Sequence, residues 1–384
     1  MISVDRRLES EARQPAAAYG LRTAADARFA MLDNQPTLFS EASQGLYALN
    51  PVAALLWCCF DDGGDVAQAE ARLVEAGVGS AEARRYIDEA VANWLRLGLL
   101  HADFGPARER HAYGFRVENT RWRVEAENRR LSHPIAALFD PNPTDGQETA
   151  ATRLRLIEIG DDIHAYRDDR RAFVCKADEV APMAKSLIIE QVLASHRREL
   201  AFHAACMSRG GRNLLISGDP GAGKSTLALH LAANGFEYRG DDVTLISPEG
   251  LAKGIACAPT VKSGAWDLVG RIRPDLSNKP VHHRPDGMFV RYLEPGAPDQ
   301  RADPVGWIVF IERAPGHGLE VARIGAADAL RRLIAGTTCA SGKLSVEGFV
   351  ALRRLLDGAE SYELTFQNSD EAAETISRIC DVSA

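Results

Sequence analysis

Leu214-Leu215-Ile216-Ser217-Gly218-Asp219-Pro220-Gly221-Ala222-Gly223-Lys224-Ser225-Thr226 is an apolar run that breaks into a glycine-rich turn and then enters a helical pattern carried by Leu227, Leu229 and Leu231. Strand, loop and helix in that order fulfil Gly-x-x-x-x-Gly-Lys-Ser/Thr in its required context. Glycines let the backbone approach an anion closely, and successive N–H groups at a helix N-terminus form a phosphate nest. Lys224 adds a point charge for β- and γ-phosphates, and Ser225 offers a hydroxyl to the Mg²⁺ that a nucleoside triphosphate carries. Residues Gly218 through Thr226 are therefore the candidate ATP-binding loop, and an α/β fold with a mixed sheet is the architecture that presents it.

Downstream, Phe236 to Gly240 is a short return segment that leads into Asp241-Asp242, followed by apolar Val243-Thr244-Leu245-Ile246. Many P-loop folds place their second metal carboxylate at the end of a distant strand; here the acidic pair follows the loop closely. With the helix ending near Gly235, the return segment brings both carboxylates back toward the loop. Asp242 is expected to bind Mg²⁺ with Ser225, and Asp241 to accept the proton of a substrate hydroxyl, an assignment that can be exchanged. His203, on the apolar approach to the loop strand, is a further catalytic candidate beside its alternative as a core histidine. Lys262, Arg284 and Arg291 sit at loop or strand-end positions from which they could meet phosphate. The pair His282-His283 lacks a matching ligand cluster for a metal.

His203, Gly218 to Thr226 and Asp241-Asp242 together resemble the HPr kinase/phosphorylase family and its relatives, most closely over residues 200–250 and loosely over 110–380. The resemblance implies phosphoryl transfer from ATP to a serine hydroxyl of a small protein or peptide. His203-Ala204 stands where that family has His-Gly, and the family's later segment linked to phosphorolysis has no counterpart, so the resemblance does not extend to the reverse reaction. Relatives of that family assemble into oligomers, which makes a homo-oligomer compatible with the likeness.

The chain ahead of this region is patterned differently. Phe29, Met31 and Leu32 precede the turn residues Asp33-Asn34, and Thr37, Leu38 and Phe39 precede a second polar break, which predicts a hairpin or meander. Asn50 and Pro51 are a cap and first-turn pair for a helix over Val52 to Phe60, which Gly63-Gly64 ends. A second helix is expected over Val66 to Ala76. A third follows Ser80, with Ala83, Ile87, Ala90, Val91, Trp94 and Leu95 on one stripe, and Gly98 stops it. Phe29 to Leu100, and above all Leu49-Asn50-Pro51-Val52-Ala53-Ala54-Leu55-Leu56-Trp57, resembles the PqqD-like precursor-recognition domains of peptide-modifying systems. That likeness implies a winged-helix-like module that captures a peptide as an added strand. The expected organisation is a loosely ordered lead-in over 1–23, a recognition domain over 24–104, a linker over 105–111 and a kinase domain over 112–384. Within the last, an antiparallel layer is expected from Ala112 to Ile159 around the turn-rich Pro141 to Gly146, then a long helix over Asp178 to Arg198.

Bulk properties bound the alternatives. A length of 384 residues suits two domains, and 46% apolar against 26% charged residues is a globular composition. The formal net charge of −8 argues against a general hold on nucleic acid or anionic lipid. Seven cysteines without metal-ligand spacing, a polar N-terminus and no long apolar run predict reduced thiols, no membrane span and a cytoplasmic protein. The acidic pair favours a transferase over the alternative of an ATP-binding peptide presenter, and it does not separate a peptide kinase from the other alternative, a small-metabolite kinase.

Overall fold

The computed structural model describes residues 20–103, 111–140, 152–168, 170–294, 301–338 and 342–382. It divides into two compact units, one formed by residues up to 111 together with 155–176, the other by 112–154 together with 177–384. Mixed α/β structure is distributed over several sheets. The first nineteen residues of the expected lead-in, most of the 105–111 linker and the turn at 141–146 lie outside the described residues.

In the first unit, strands Ala27–Leu32, Gln35–Ser40 and Gly45–Ala48 form an antiparallel meander. Asp33 and Asn34 supply its first turn with left-handed φ values of 48° and 65°, the conformation a two-residue hairpin needs. Three helices follow, Pro51–Asp61, Val66–Glu75 and Ser80–Leu97. Asn50 caps the first through Oδ1, which accepts from the Ala53 N–H at 2.7 Å. Gly20–Thr23 is not part of a loose lead-in as expected: it is a strand paired antiparallel with Leu100–Asp103. Leu21 carries that correction, since its side chain is buried in the same core as Trp57, Trp94 and Leu100. Ile157, Ile159 and Tyr166 join this core, which is why residues 155–176 group with the first unit.

The second unit is built on a six-stranded sheet ordered Glu237–Gly240, Ala204–Arg209, Arg212–Ser217, Val305–Arg313, Glu360–Phe366, Glu320–Arg323. The three central neighbours from Arg212–Ser217 to Glu360–Phe366 run parallel and the outer ones antiparallel, so the sheet is mixed. Its middle strands are buried on both faces, as sheets covered on both sides require. Leu214 and Ile216 pack with Leu227, Leu231 and Ile376 of helices Lys224–Ala233 and Ser369–Val382. Leu215 points the opposite way, into a core with Phe202, Leu333 and Leu352. That second core is roofed by helices Ala326–Gly336 and Val346–Asp357 and a four-stranded sheet ordered Ala252–Gly254, Thr244–Ile246, Leu200–Phe202, Thr337–Thr338.

Two further expectations change. The layer after Ala112 holds the expected strands His111–Val117 and Thr120–Ala126 but also a helix, Arg129–Ala137, capped by Asn128. The long helical pattern resolves into a 3₁₀ turn, Ala177–Glu179, and a helix Val180–Ser195 that ends three residues early. Ser195 Oγ donates to the Val192 carbonyl at 2.7 Å and His196 Nδ1 lies 2.8 Å from the same oxygen, so side chains occupy it where the next turn would have continued.

Candidate functional site

Sheet register places His203, the glycine-rich loop and the acidic pair at one end of the six-stranded sheet. Ala204 pairs with Ser217, so His203 lies beside Gly218 at the carboxyl end of the loop strand. Gly240 pairs with Cys206, which puts Asp241 and Asp242 at the same end, and Thr244 Oγ1 anchors the following segment by donating to the Ala204 carbonyl at 3.1 Å. Helix Lys224–Ala233 climbs about 15 Å in ten residues and strand Glu237–Gly240 returns about 13 Å in four. Near-equal lengths are the physical reason an acidic pair so close in sequence to the loop can face it.

The loop opens directly onto a helix N-terminus. Gly223 is the helix N-cap at φ 98°, and no side chain caps the first N–H groups, which stay free for a ligand. A Cβ on Gly218 would sit 2.5 Å from the Ile311 carbonyl oxygen, so the loop leaves its strand in close backbone contact with the neighbouring strand. Gly218→Ala is expected to lower stability by about 1–3 kcal/mol through overpacking, read as a fall in Tm by calorimetry; an unchanged Tm would show that this contact relaxes freely. Lys224, only 7% exposed, folds over the loop and donates to the carbonyls of Gly218 at 2.7 Å and Asp219 at 3.3 Å. Burial pushes its pKa down, and Asp242 partly restores it.

The two carboxylates differ sharply. Asp241 is 1% exposed; its Oδ2 accepts from the Thr260 N–H at 3.2 Å, while its Oδ1 is buried with no hydrogen-bond partner. Burial and the neighbouring Asp242 charge raise its pKa to about 6, against the pull of Lys185, the Ser225 hydroxyl and Thr260. Asp242, with a side chain 44% exposed, is held below the usual carboxylate range chiefly by Lys185, with His203 and Arg284 adding to the effect. His203 is exposed, and partial desolvation together with Lys224 lowers its pKa while Asp242 opposes them.

Of the three cations, Lys262 and Arg284 fall within the charge field of this cluster, Lys262 acting on Lys224 and His203, Arg284 on Asp242. Arg284 also pairs with Asp286 at 3.0 Å. Arg291 is engaged elsewhere: its guanidinium stacks 4.4 Å from the Trp266 ring centroid and donates to the Leu276 carbonyl at 3.0 Å. His282 and His283 belong to a small strand against Phe289–Tyr292, and among the described residues no group of three or more His, Cys, Asp or Glu side chains is arranged as a metal cage.

Sequence reasoning missed Lys185 and Thr260. Lys185, 6% exposed on helix Val180–Ser195, reaches Asp242 Oδ2 at 3.0 Å, Thr260 Oγ1 at 2.7 Å and the Ala258 carbonyl at 3.2 Å. Burial disfavours its charge, but Asp242, then Cys257 and Asp241, outweigh that and lift its pKa well above the ordinary lysine value. A signal was present: Ala181, Ala184, Lys185, Ile188 and Val192 form one buried helical face, and a lysine on such a face requires an anionic partner.

The residues present fit a magnesium–triphosphate ligand. A buried carboxylate with one oxygen lacking a partner, and a serine hydroxyl that acts on the same carboxylate, form an all-oxygen donor pair suited to Mg²⁺, which keeps most of its shell as water and phosphate and needs no protein cage. No helix among the described residues is long and apolar enough to cross a membrane.

No family model matches the chain and no curated protein matches it in sequence. Among solved structures, the HPr(Ser) kinase/phosphatase from Coxiella burnetii aligns with 47% of this chain and 96% of its own, at 13% identity and a TM-score of 0.24.

Proposed function

We propose that this chain is an ATP-dependent phosphotransferase that acts on an alcohol hydroxyl. The observation that carries the reading is the acidic pair at the loop's end of the sheet: Ala204 pairs with Ser217 and Gly240 with Cys206, so Asp241 and Asp242 follow a strand that ends where the glycine-rich loop begins. A loop that only held nucleotide would have no use for a second, half-exposed carboxylate at its mouth.

Geometry favours the exchanged assignment of the pair. Asp241, sealed from solvent and beside Ser225, is the metal-side carboxylate; Asp242, accessible and next to His203, is the acceptor-side one. Bound with the triphosphate, Mg²⁺ would neutralise charge on the β- and γ-phosphoryl oxygens. Lys224 and the free N–H groups of its helix hold the triphosphate in line. Asp242 orients the acceptor hydroxyl and takes its proton as the new O–P bond forms and the bond from γ-phosphorus to the bridging oxygen breaks. Because the transition state is loose, a carboxylate of depressed pKa suffices: positioning and charge neutralisation outweigh proton abstraction. His203, exposed at the same rim, can donate to the acceptor or to a phosphoryl oxygen.

The acceptor is proposed to be a Ser or Thr of a peptide or small protein taken up by the PqqD-like module over 24–104. Support comes from the meander, whose two outer strands, Ala27–Leu32 and Gly45–Ala48, each have one partner in that sheet, and from Leu32, Phe39 and Leu46, apolar and 41–64% exposed. An extended peptide can add to such an edge by main-chain hydrogen bonds. Recognition and transfer in one chain would raise the local acceptor concentration.

The test is incubation with γ-labelled ATP and candidate peptides, analysed by mass spectrometry and phosphate release. Label on a peptide hydroxyl is the expected result; label only as free phosphate points to a nucleotide-driven presenter, and label on a small metabolite to the third alternative. Lys224→Ala removes a charge-assisted contact worth about 1.5–3 kcal/mol, so nucleotide affinity should fall roughly 10- to 100-fold in fluorescent-nucleotide titration. Unchanged affinity would show that triphosphate does not sit in this loop.

A further inference from the structure

Lys185 is a second lysine at the site, and its chemistry differs from that of Lys224. An ammonium has three donor hydrogens. Here three acceptors surround it at hydrogen-bond distance: a carboxylate oxygen of Asp242, the hydroxyl of Thr260 and the carbonyl of Ala258. With every donor engaged inside the protein and the side chain 8% exposed, nothing remains to grip a phosphate. Thr260 completes a circuit, because its own N–H donates to Asp241 Oδ2. One buried cation is thus linked directly to one acidic residue and, through a single threonine, to the other.

Resting on the phosphotransferase reading, we infer that Lys185 and Thr260 are positioning residues, a clamp that fixes both carboxylates at the angles the reaction needs. Engaging Asp242 through Oδ2 leaves the residue's other oxygen for the acceptor hydroxyl, and restrains rotation about its terminal torsion, which is otherwise broad. Engaging Asp241 through Oδ2 leaves Oδ1 as the buried atom without a hydrogen-bond partner. Tyr292 walls the clamp, its ring centroid 5.5 Å from the ammonium, and belongs to the strand Phe289–Tyr292 that pairs with Thr260–Lys262. A lysine suits this place better than arginine: three converging acceptors around one nitrogen match a compact point donor, whereas a planar fork would need them coplanar.

The experiment compares Lys185→Met, Thr260→Val and Thr260→Ser by steady-state transfer kinetics and by nucleotide affinity measured without divalent metal. Thr260→Val keeps shape and loses only the hydroxyl, so it remains informative should Lys185→Met fail to fold. The expected result is a kcat roughly 10- to 100-fold lower for Thr260→Val, with metal-free nucleotide affinity unchanged within about threefold and kcat restored by Thr260→Ser. An unchanged kcat in Thr260→Val, or a loss of nucleotide affinity as large as the loss of kcat, overturns the clamp. If the wild-type chain transfers no phosphoryl group, the phosphotransferase reading fails on its own, and crystal structures decide the clamp separately. An Asp242 carboxylate swung away from its wild-type rotamer in Thr260→Val or Lys185→Met supports it; an unmoved one overturns it.

Discussion

Asp242→Asn is expected to reduce phosphoryl transfer by about 10²- to 10⁴-fold while the protein stays folded and still binds nucleotide. The substitution is nearly isosteric, and its amide oxygen can still accept from Lys185, so the contact at 3.0 Å has a replacement partner. What disappears is the negative charge at the mouth of the site and the capacity to take a proton. Because Asp242 acts on the acceptor in this mechanism, the loss should fall on kcat, with nucleotide affinity altered by a few-fold at most. The measurement is initial-rate transfer beside nucleotide titration, with circular dichroism as a check of folding. Transfer within threefold of wild type would remove Asp242 from the chemistry and leave the loop as a nucleotide-binding device.

Asp241→Asn should lose transfer comparably and yet make the metal-free protein more stable. Burial raises the Asp241 carboxyl to about 6 from an ordinary 3.8, so between those values the folded state keeps a proton that the unfolded state has released. Stability therefore falls as pH rises through that window and stays low above it, by an amount on the order of 2–3 kcal/mol. An asparagine has no such proton to lose; its oxygen can still accept from Thr260 N–H while its amide group faces the position of the orphaned oxygen. In EDTA, the variant and the wild type should unfold at similar temperatures near pH 4, and the variant should be a few degrees more stable at pH 7. A variant less stable than wild type at pH 7 would show that Lys185 already balances the buried charge. Stability sacrificed at a carboxylate awaiting a cation is what a metal-side role requires.

Much of this site could be read from residue order. The loop motif names its own geometry, because each residue type answers a local demand: glycine where a helix must open onto an anion, lysine and serine one and two positions later. Asn50 and Pro51 likewise announce a helix through their own hydrogen bonding and fixed φ, and the meander turn at Asp33-Asn34 is written in two residues. The short return from loop helix to acidic pair was legible too, since helix and strand rises are fixed lengths per residue.

Periodicity failed where a side chain's meaning lay in a distant partner. Gly20–Thr23 looks like a polar tail until Leu100–Asp103 pairs with it, and residues 155–176 read as part of the second unit until Ile157, Ile159 and Tyr166 find the core of the first. Lys185 is separated in sequence from Asp242 and Thr260, yet the three converge on one nitrogen. The local sequence by itself determined the glycine-rich loop and the elements around it, because hydrogen bonding and φ preferences act between near neighbours. Which acid is sealed and which is exposed, and what cation balances them, only the tertiary structure decided, because burial and charge pairing depend on distances through space that no spacing along the chain encodes.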